Sequence, residues 1–196
     1  MAKEIKLFHP DWLLLDKKDF RLLVMLTDLG GFSGTVEEIC DYFHLNRNQH
    51  KNKQNIRQSI QTLKDKRWIN VQQSGRKYTL SINHRPSNNI VLPPGISLSF
   101  LLQKDYEGVS WEVVLKVYLR LLLLADGEVI SQADIGADVG ASAETVGNAI
   151  SVLRNCKHCL GEIEAVYQTK KEPNGKTEIR RQGSIYTLSA FPEALE

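Results

Sequence analysis

Apolar positions recur along this chain at two periods, about 3.6 and about 2 residues, and the switches between them divide it into helices and hairpins. Residues 1–15 form a short apolar lead-in, a strand or an arm, interrupted by Pro10. The first helix is expected over Asp16 to Leu29, with Asp16 as its cap, Asp19 in its first turn and Gly30-Gly31 ending it. Phe20, Leu23, Val24 and Leu26 mostly cluster on one side. Thr35 caps a second helix, with Glu38 at the capping-box spacing and Val36, Ile39, Cys40 and Phe43 turned inward. A third helix carries a narrow stripe of Ile56, Ile60 and Leu63. Trp68 to Val71 then reads as a strand, Gln73 to Arg76 as a tight turn and Tyr78 to Ile82 as the returning strand.

The third helix holds the most distinctive pattern in the chain. His44 to Arg67 carries Arg47, Lys51, Lys53, Arg57, Lys64, Lys66 and Arg67 against one acid, Asp65. With Ile56 and Ile60 against a core, a rotation of about 100° per residue turns Lys51, Gln54, Gln58 and Gln61 outward and leaves Arg57 on the flank. Glutamine pairs with adenine edges, and Arg or Lys reaches guanine edges or phosphates. A solvated charged face gives the same pattern, but the surrounding elements are those a reading helix needs. Asn46 to Asn55, between the second and third helices, is either a basic loop or an early start of the third helix.

The pattern then returns. Residues 83–109 read as a linker with a break at Pro93-Pro94-Gly95 and a strand expected over Ile96 to Leu102. Trp111 to Ala125 is expected to be helical with Ser110 as cap. Ser131 caps Gln132 to Gly140 with Asp134 at the capping-box position, and Ser142 caps Ala143 to Cys156. Strands over Ile163 to Lys170 and Ile179 to Leu188 flank a turn at Glu172 to Lys176. Equivalent residues recur, Ile39 with Ile135 at an offset of 96 and Ile60 with Ile150 at 90, and Tyr78 to Ser81 recurs literally as Tyr186 to Ser189 at 108. The expected division is therefore 1–85, a basic domain; 86–109, a linker and lead-in strand; and 110–196, a second copy.

Charge sharpens this division. Residues 1–85 hold 15 Lys and Arg against 9 Asp and Glu, a balance of +6, whereas the rest of the chain balances to −4. Attraction to a polyanion belongs mostly to the first half. An apolar fraction of 42% is ample for folded cores. The run from Leu119 to Ala125, broken by Arg120, is too short for a membrane. The N-terminus lacks the apolar core of a signal peptide, and three cysteines make no disulfide framework, so a cytosolic protein is expected.

Three helices followed by a β-hairpin, over residues 16–82 and again in the second copy, resemble tandem winged helix-turn-helix domains. The resemblance implies a mainly α fold with small β-hairpin wings, of the α+β class. The stretch from Asp134 to Asn155, with its small turn Gly140-Ala141-Ser142, is similar to the helix-turn-helix of GntR-like and MarR-like bacterial regulators. The tandem layout also resembles plasmid and phage replication initiators. In these families the third helix enters the major groove and the wing touches the adjacent backbone. The resemblance implies contacts to double-stranded DNA from Arg47, Lys51, Lys53, Gln54, Arg57, Gln58, Gln61 and Lys64, and from Arg76 and Lys77 at the wing tip. In the second copy it implies Thr145 and Asn148 on the helix and Lys170, Lys171, Lys176, Arg180 and Arg181 on the wing. That helix also presents Glu144, Ser151 and Asn155 and has no cation before Arg154. The implied role is a transcriptional regulator associated with the bacterial nucleoid; an origin-binding initiator and a winged-helix scaffold for protein contacts are the alternatives. A homodimer is compatible with either DNA-binding role.

Other chemistry finds little support. Cys156 and Cys159 form a CxxC with no second pair at matching spacing, so no four-ligand zinc site is expected. Cys40 and His44 read as a core thiol and a surface histidine. No phosphate-binding glycine loop, zinc-protease motif or nucleophile elbow occurs, so no catalysis, cofactor or small-molecule ligand is expected. Trp12, Trp68 and Trp111, at the starts of elements, read as core anchors.

Overall fold

The computed structural model describes residues 6–83, 89–93, 106, 108–155, 160, 162–171 and 177–188. Its architecture is mixed α and β, with helices and small antiparallel sheets. The chain forms two compact units, one of Lys6–Asn89 and one from Ile90 onward. The expected strand over Ile96 to Leu102, the turn at Glu172 to Lys176 and the CxxC all lie outside the described residues. Among the described residues no helix is long and apolar enough to cross a membrane.

In the first unit, strand β1 (Leu7–Phe8) leads into a tight 3-10 turn at Pro10–Leu14. Proline suits that place, because its fixed φ matches the first helical position and its missing N–H is not needed there. Helix α1 (Lys17–Leu29) buries Phe20, Leu22 to Leu26 and also Asp19, which the sequence placed merely in the first turn. Gly30 ends it in the left-handed conformation, with φ +67°. Strand β2 (Phe32–Thr35) follows; no strand is expected here, because four residues that follow Gly30-Gly31 and include Gly34 carry no alternation. Helix α2 (Val36–Tyr42) begins with the expected capping box: Thr35 Oγ1 accepts from Glu38 N at 3.3 Å, and Glu38 Oε2 accepts from Thr35 N at 2.5 Å. Phe43 is only half-buried, under the guanidinium of Arg21, 5.5 Å from its ring centre.

Helix α3 (His50–Asp65) starts six residues before its first buried aliphatic, Ile56, so most of the Asn46-to-Asn55 segment is helix rather than loop. It buries Ile56, Ser59, Ile60 and Leu63. Strands β3 (Ile69–Ser74) and β4 (Lys77–Ile82) form the hairpin, turning at Gly75-Arg76, and β4 lies between β3 and β2 in a three-stranded antiparallel sheet. Phe8, Trp12 and Trp68 form an edge-on aromatic cluster, with ring centres 6.1 and 6.0 Å apart. Asp28 accepts from Tyr42 at 2.9 Å and pairs with Lys6, tying the lead-in to α1 and α2.

In the second unit, after strand β5 (Ile90–Val91), helix α4 (Trp111–Leu121) ends four residues before the expected Ala125. Its last carbonyls accept bonds from Leu123 and Leu124, three residues on, which tightens the chain into turns. Helix α5 (Gln132–Val139) carries the second capping box, Ser131 with Asp134. Gly140 closes it at φ +69°, and Ala141 N donates to Gly136 O at 2.9 Å. A side chain on Gly136 would meet that turn's backbone at 2.5 Å. Helix α6 (Ala143–Asn155) buries Val146, Ala149, Ile150 and Leu153. Strands β6 (Ile163–Lys171) and β7 (Thr177–Tyr186) pair as a long hairpin with a bulge at Val166/Tyr167.

The two units repeat one plan. In each, the residues just before a capping-boxed helix pair with the second strand of the hairpin. Gly34, before Thr35, opposes Tyr78; Ile130, before Ser131, bridges Ser184. Tyr78 therefore corresponds to Ser184, two residues before Tyr186, so the literal Tyr-Thr-Leu-Ser match is displaced by two positions from the structural one. Because strand faces alternate with period 2, the shift leaves every side chain on the same face.

Candidate nucleic-acid interface

Helix α3 projects a continuous polar face from the first unit. Lys51, Gln54, Arg57, Gln58, Gln61 and Lys64 are exposed, and all lie away from the Ile56–Ile60–Leu63 stripe. Asp65, the helix's one acid, sits at its C-terminal end and accepts from Gln61 Nε2 at 2.7 Å. The N-terminal and middle turns of the helix are thus cationic and amide-bearing.

Two of the predicted contact residues lie beside acids. Lys53 is half-buried, with Nζ 3.3 Å from Glu37 Oε1, and Arg47 Nη1 lies 3.5 Å from Asp41 Oδ2. Both acids come from α2; Lys53 meets Glu37 across from α3, and Arg47 meets Asp41 from the connection between the two helices. The hydrogen bond from its own backbone amide, with the Lys53 ammonium adding to it, holds the Glu37 carboxyl below its ordinary value. The Glu38 carboxyl is likewise lowered, by its bond from the Thr35 amide.

On one flank α3 faces the hairpin. Lys53, Arg57, Gln73, Gly75, Arg76 and Tyr78, with Val36 and Glu37 of α2, line a groove of about 380 Å³. Gly75 takes φ +59°, as a two-residue hairpin turn requires, and places exposed Arg76 and Lys77 at the tip. On the other flank Lys18 of α1 approaches Gln58 Oε1 at 3.5 Å. Lys18 was not among the residues the sequence singled out, because nothing local to Lys17-Lys18 distinguishes it from any cationic helix start.

The second unit is built differently. The exposed face of α6 offers Glu144, Asn148 and Ser151, with Thr145 half-buried. Ser142 Oγ accepts from Thr145 N at 3.2 Å and lies 2.8 Å from its hydroxyl, so Thr145 belongs to the helix cap. Ser151 donates back to Gly147 O at 3.0 Å. On the hairpin, the register puts Arg181 opposite Tyr167 and Arg180 opposite Gln168, on alternate faces. Arg181 is anchored: its Nη2 donates to buried Ser184 at 2.5 Å. Tyr167 and Ile179 are 61% and 68% exposed on the Arg181 face. Lys170 and Lys171 end β6, with only their backbone described, and Lys176 lies outside the described residues.

The cations that α3 and the first hairpin bring together are therefore Lys51, Arg57, Lys64, Arg76 and Lys77, with Gln54, Gln58 and Gln61 between them. Among the described residues the second unit brings no comparable cluster to α6. No family model, curated protein or solved structure matches this chain.

Proposed function

We propose that this chain is a sequence-specific double-stranded-DNA-binding protein of two winged helix-turn-helix units, acting as a transcriptional regulator. Helix α3 lies in the major groove and the β3–β4 hairpin tip follows the neighbouring phosphates. The observation that carries this reading is the exposed face of α3, with Lys51, Arg57 and Lys64 interleaved with three glutamines and backed by a buried aliphatic stripe. The cations supply affinity through counterion release, and the amides discriminate base edges. Arg76 and Lys77 add phosphate contacts one groove edge away.

The repeated plan favours a target with two adjacent segments, which a replication initiator bound to origin repeats would also have. Footprinting on the DNA flanking the gene separates the two roles: direct repeats at an origin support the initiator, a promoter overlap supports the regulator. A gel-shift titration of genomic fragments at two salt concentrations tests DNA binding itself. Binding that weakens steeply with salt is expected; no retention at low salt overturns the reading.

A further inference from the structure

A second feature of the first unit points to a ligand. Between α1 and the start of α3 lies a cleft of about 110 Å³, lined by Lys18, Arg21, Leu22, Phe43, Leu45, Asn52, Asn55, Ile56 and Ser59. On the usual allowance of roughly 10–15 Å³ for one water, it has room for a tetrahedral oxyanion. Two cations line it and no carboxylate does. At its wall the Ser59 side chain is 1% exposed, and its hydroxyl has no hydrogen-bond partner. A buried hydroxyl left unpaired is destabilising, a cost that a ligand oxygen would remove. Asn52 donates to Asn46 O and Gln49 Oε1, at 3.0 and 3.2 Å, so the loop holds its amide. Lys18, Asn55 and Ser59 are other donors that line this small space, and Lys18 also reaches Gln58 Oε1 at 3.5 Å.

We propose that this cleft is a phosphate-class oxyanion site, and that in the complex it holds a backbone phosphate of the duplex lying along α3. This rests on the DNA-binding reading. It adds to it a clamp on the flank of α3 opposite the hairpin, so that both strands bordering the groove are gripped. The same chemistry would accept free inorganic phosphate, and the test separates the two sources.

The full chain and its Lys18→Ala, Asn55→Asp and Ser59→Ala variants are compared in two assays, with folding checked by thermal unfolding. In the first, amide resonances of Asn55 and Ser59 are followed by NMR while inorganic phosphate replaces chloride at constant ionic strength. In the second, duplex affinity is measured against salt. Saturable shifts in the wild type that vanish in Asn55→Asp are expected. With duplex, each variant should bind at least fivefold more weakly, and Lys18→Ala should lower the salt slope by about one. Ser59→Ala should unfold at a higher temperature while binding more weakly, a pair of signs that mere core packing does not give. Phosphate shifts with unchanged duplex binding in all three variants overturn the duplex assignment. Absence of both effects overturns the site. If the wild type binds no duplex yet shows the shifts, the DNA-binding reading fails and the anion site stands.

Discussion

His44 and Arg67 bracket helix α3, and both hold left-handed backbone, at φ +53° and +57°. Each closes a helix in the double hydrogen-bond pattern that normally carries glycine: Leu45 N to Cys40 O and His44 N to Asp41 O, then Trp68 N to Leu63 O and Arg67 N to Lys64 O. A side chain there costs of order 1–2 kcal/mol, partly offset by glycine's greater freedom in the unfolded chain. Arg67→Gly should therefore raise the unfolding free energy by about 0.5–1 kcal/mol in urea titration; a decrease would mean that the arginine side chain makes contacts outweighing its strain. Glu37 is the acid among the groove cations. Glu37→Gln should strengthen duplex binding severalfold at low salt by releasing Lys53, and unchanged affinity would place Lys53 outside the interface. Cys40 is fully buried, and burial pushes its thiol up. It should resist a thiol reagent in the native protein and react promptly in urea.

Among the elements, what the sequence revealed was what is local. Both capping boxes could be read because their partners lie three residues apart, and the α3 stripe because helix period and burial agree over Ile56, Ile60 and Leu63. Strand β2 could not, since its identity comes from pairing with Tyr78 to Leu80, more than forty residues on. The Lys53–Glu37 pair and the cleft lined by Lys18, Asn55 and Ser59 exist only once helices pack. The α2 cap also sets a pH dependence. Glu37 and Glu38 are lowered in the folded protein from an ordinary value of 4.5, so the stability they add is complete above that value and is lost as pH falls below it. Thr35→Ala should cost about 1 kcal/mol at pH 7. Glu38→Gln should flatten the fall in urea midpoint between pH 5 and pH 3, approximate bounds set by the ordinary carboxylate range. An unchanged fall would assign the acid sensitivity to other carboxylates.

At the scale of the whole molecule, one structural plan serves two surfaces of different charge. Helix α3 and its hairpin concentrate cations and amides, whereas α6 presents neutral and acidic side chains as far as Arg154 in its last turn, and its hairpin anchors Arg181 on Ser184. The asymmetry of +6 against −4 in the sequence foreshadows this division. On the proposed DNA-binding reading, the first unit supplies most of the phosphate contacts and the second supplies position or a partner surface. Under that division, Asn148→Ala should alter duplex affinity far less than Arg57→Ala. The central claim is the open cationic face of α3, and the most direct measurement is duplex affinity as a function of salt for the wild type and for Lys51→Ala/Arg57→Ala/Lys64→Ala. The account predicts a steep wild-type dependence, with the logarithmic slope reduced by about two to three in the triple variant, in proportion to the phosphates released. Equal slopes and affinities for the two proteins would contradict it.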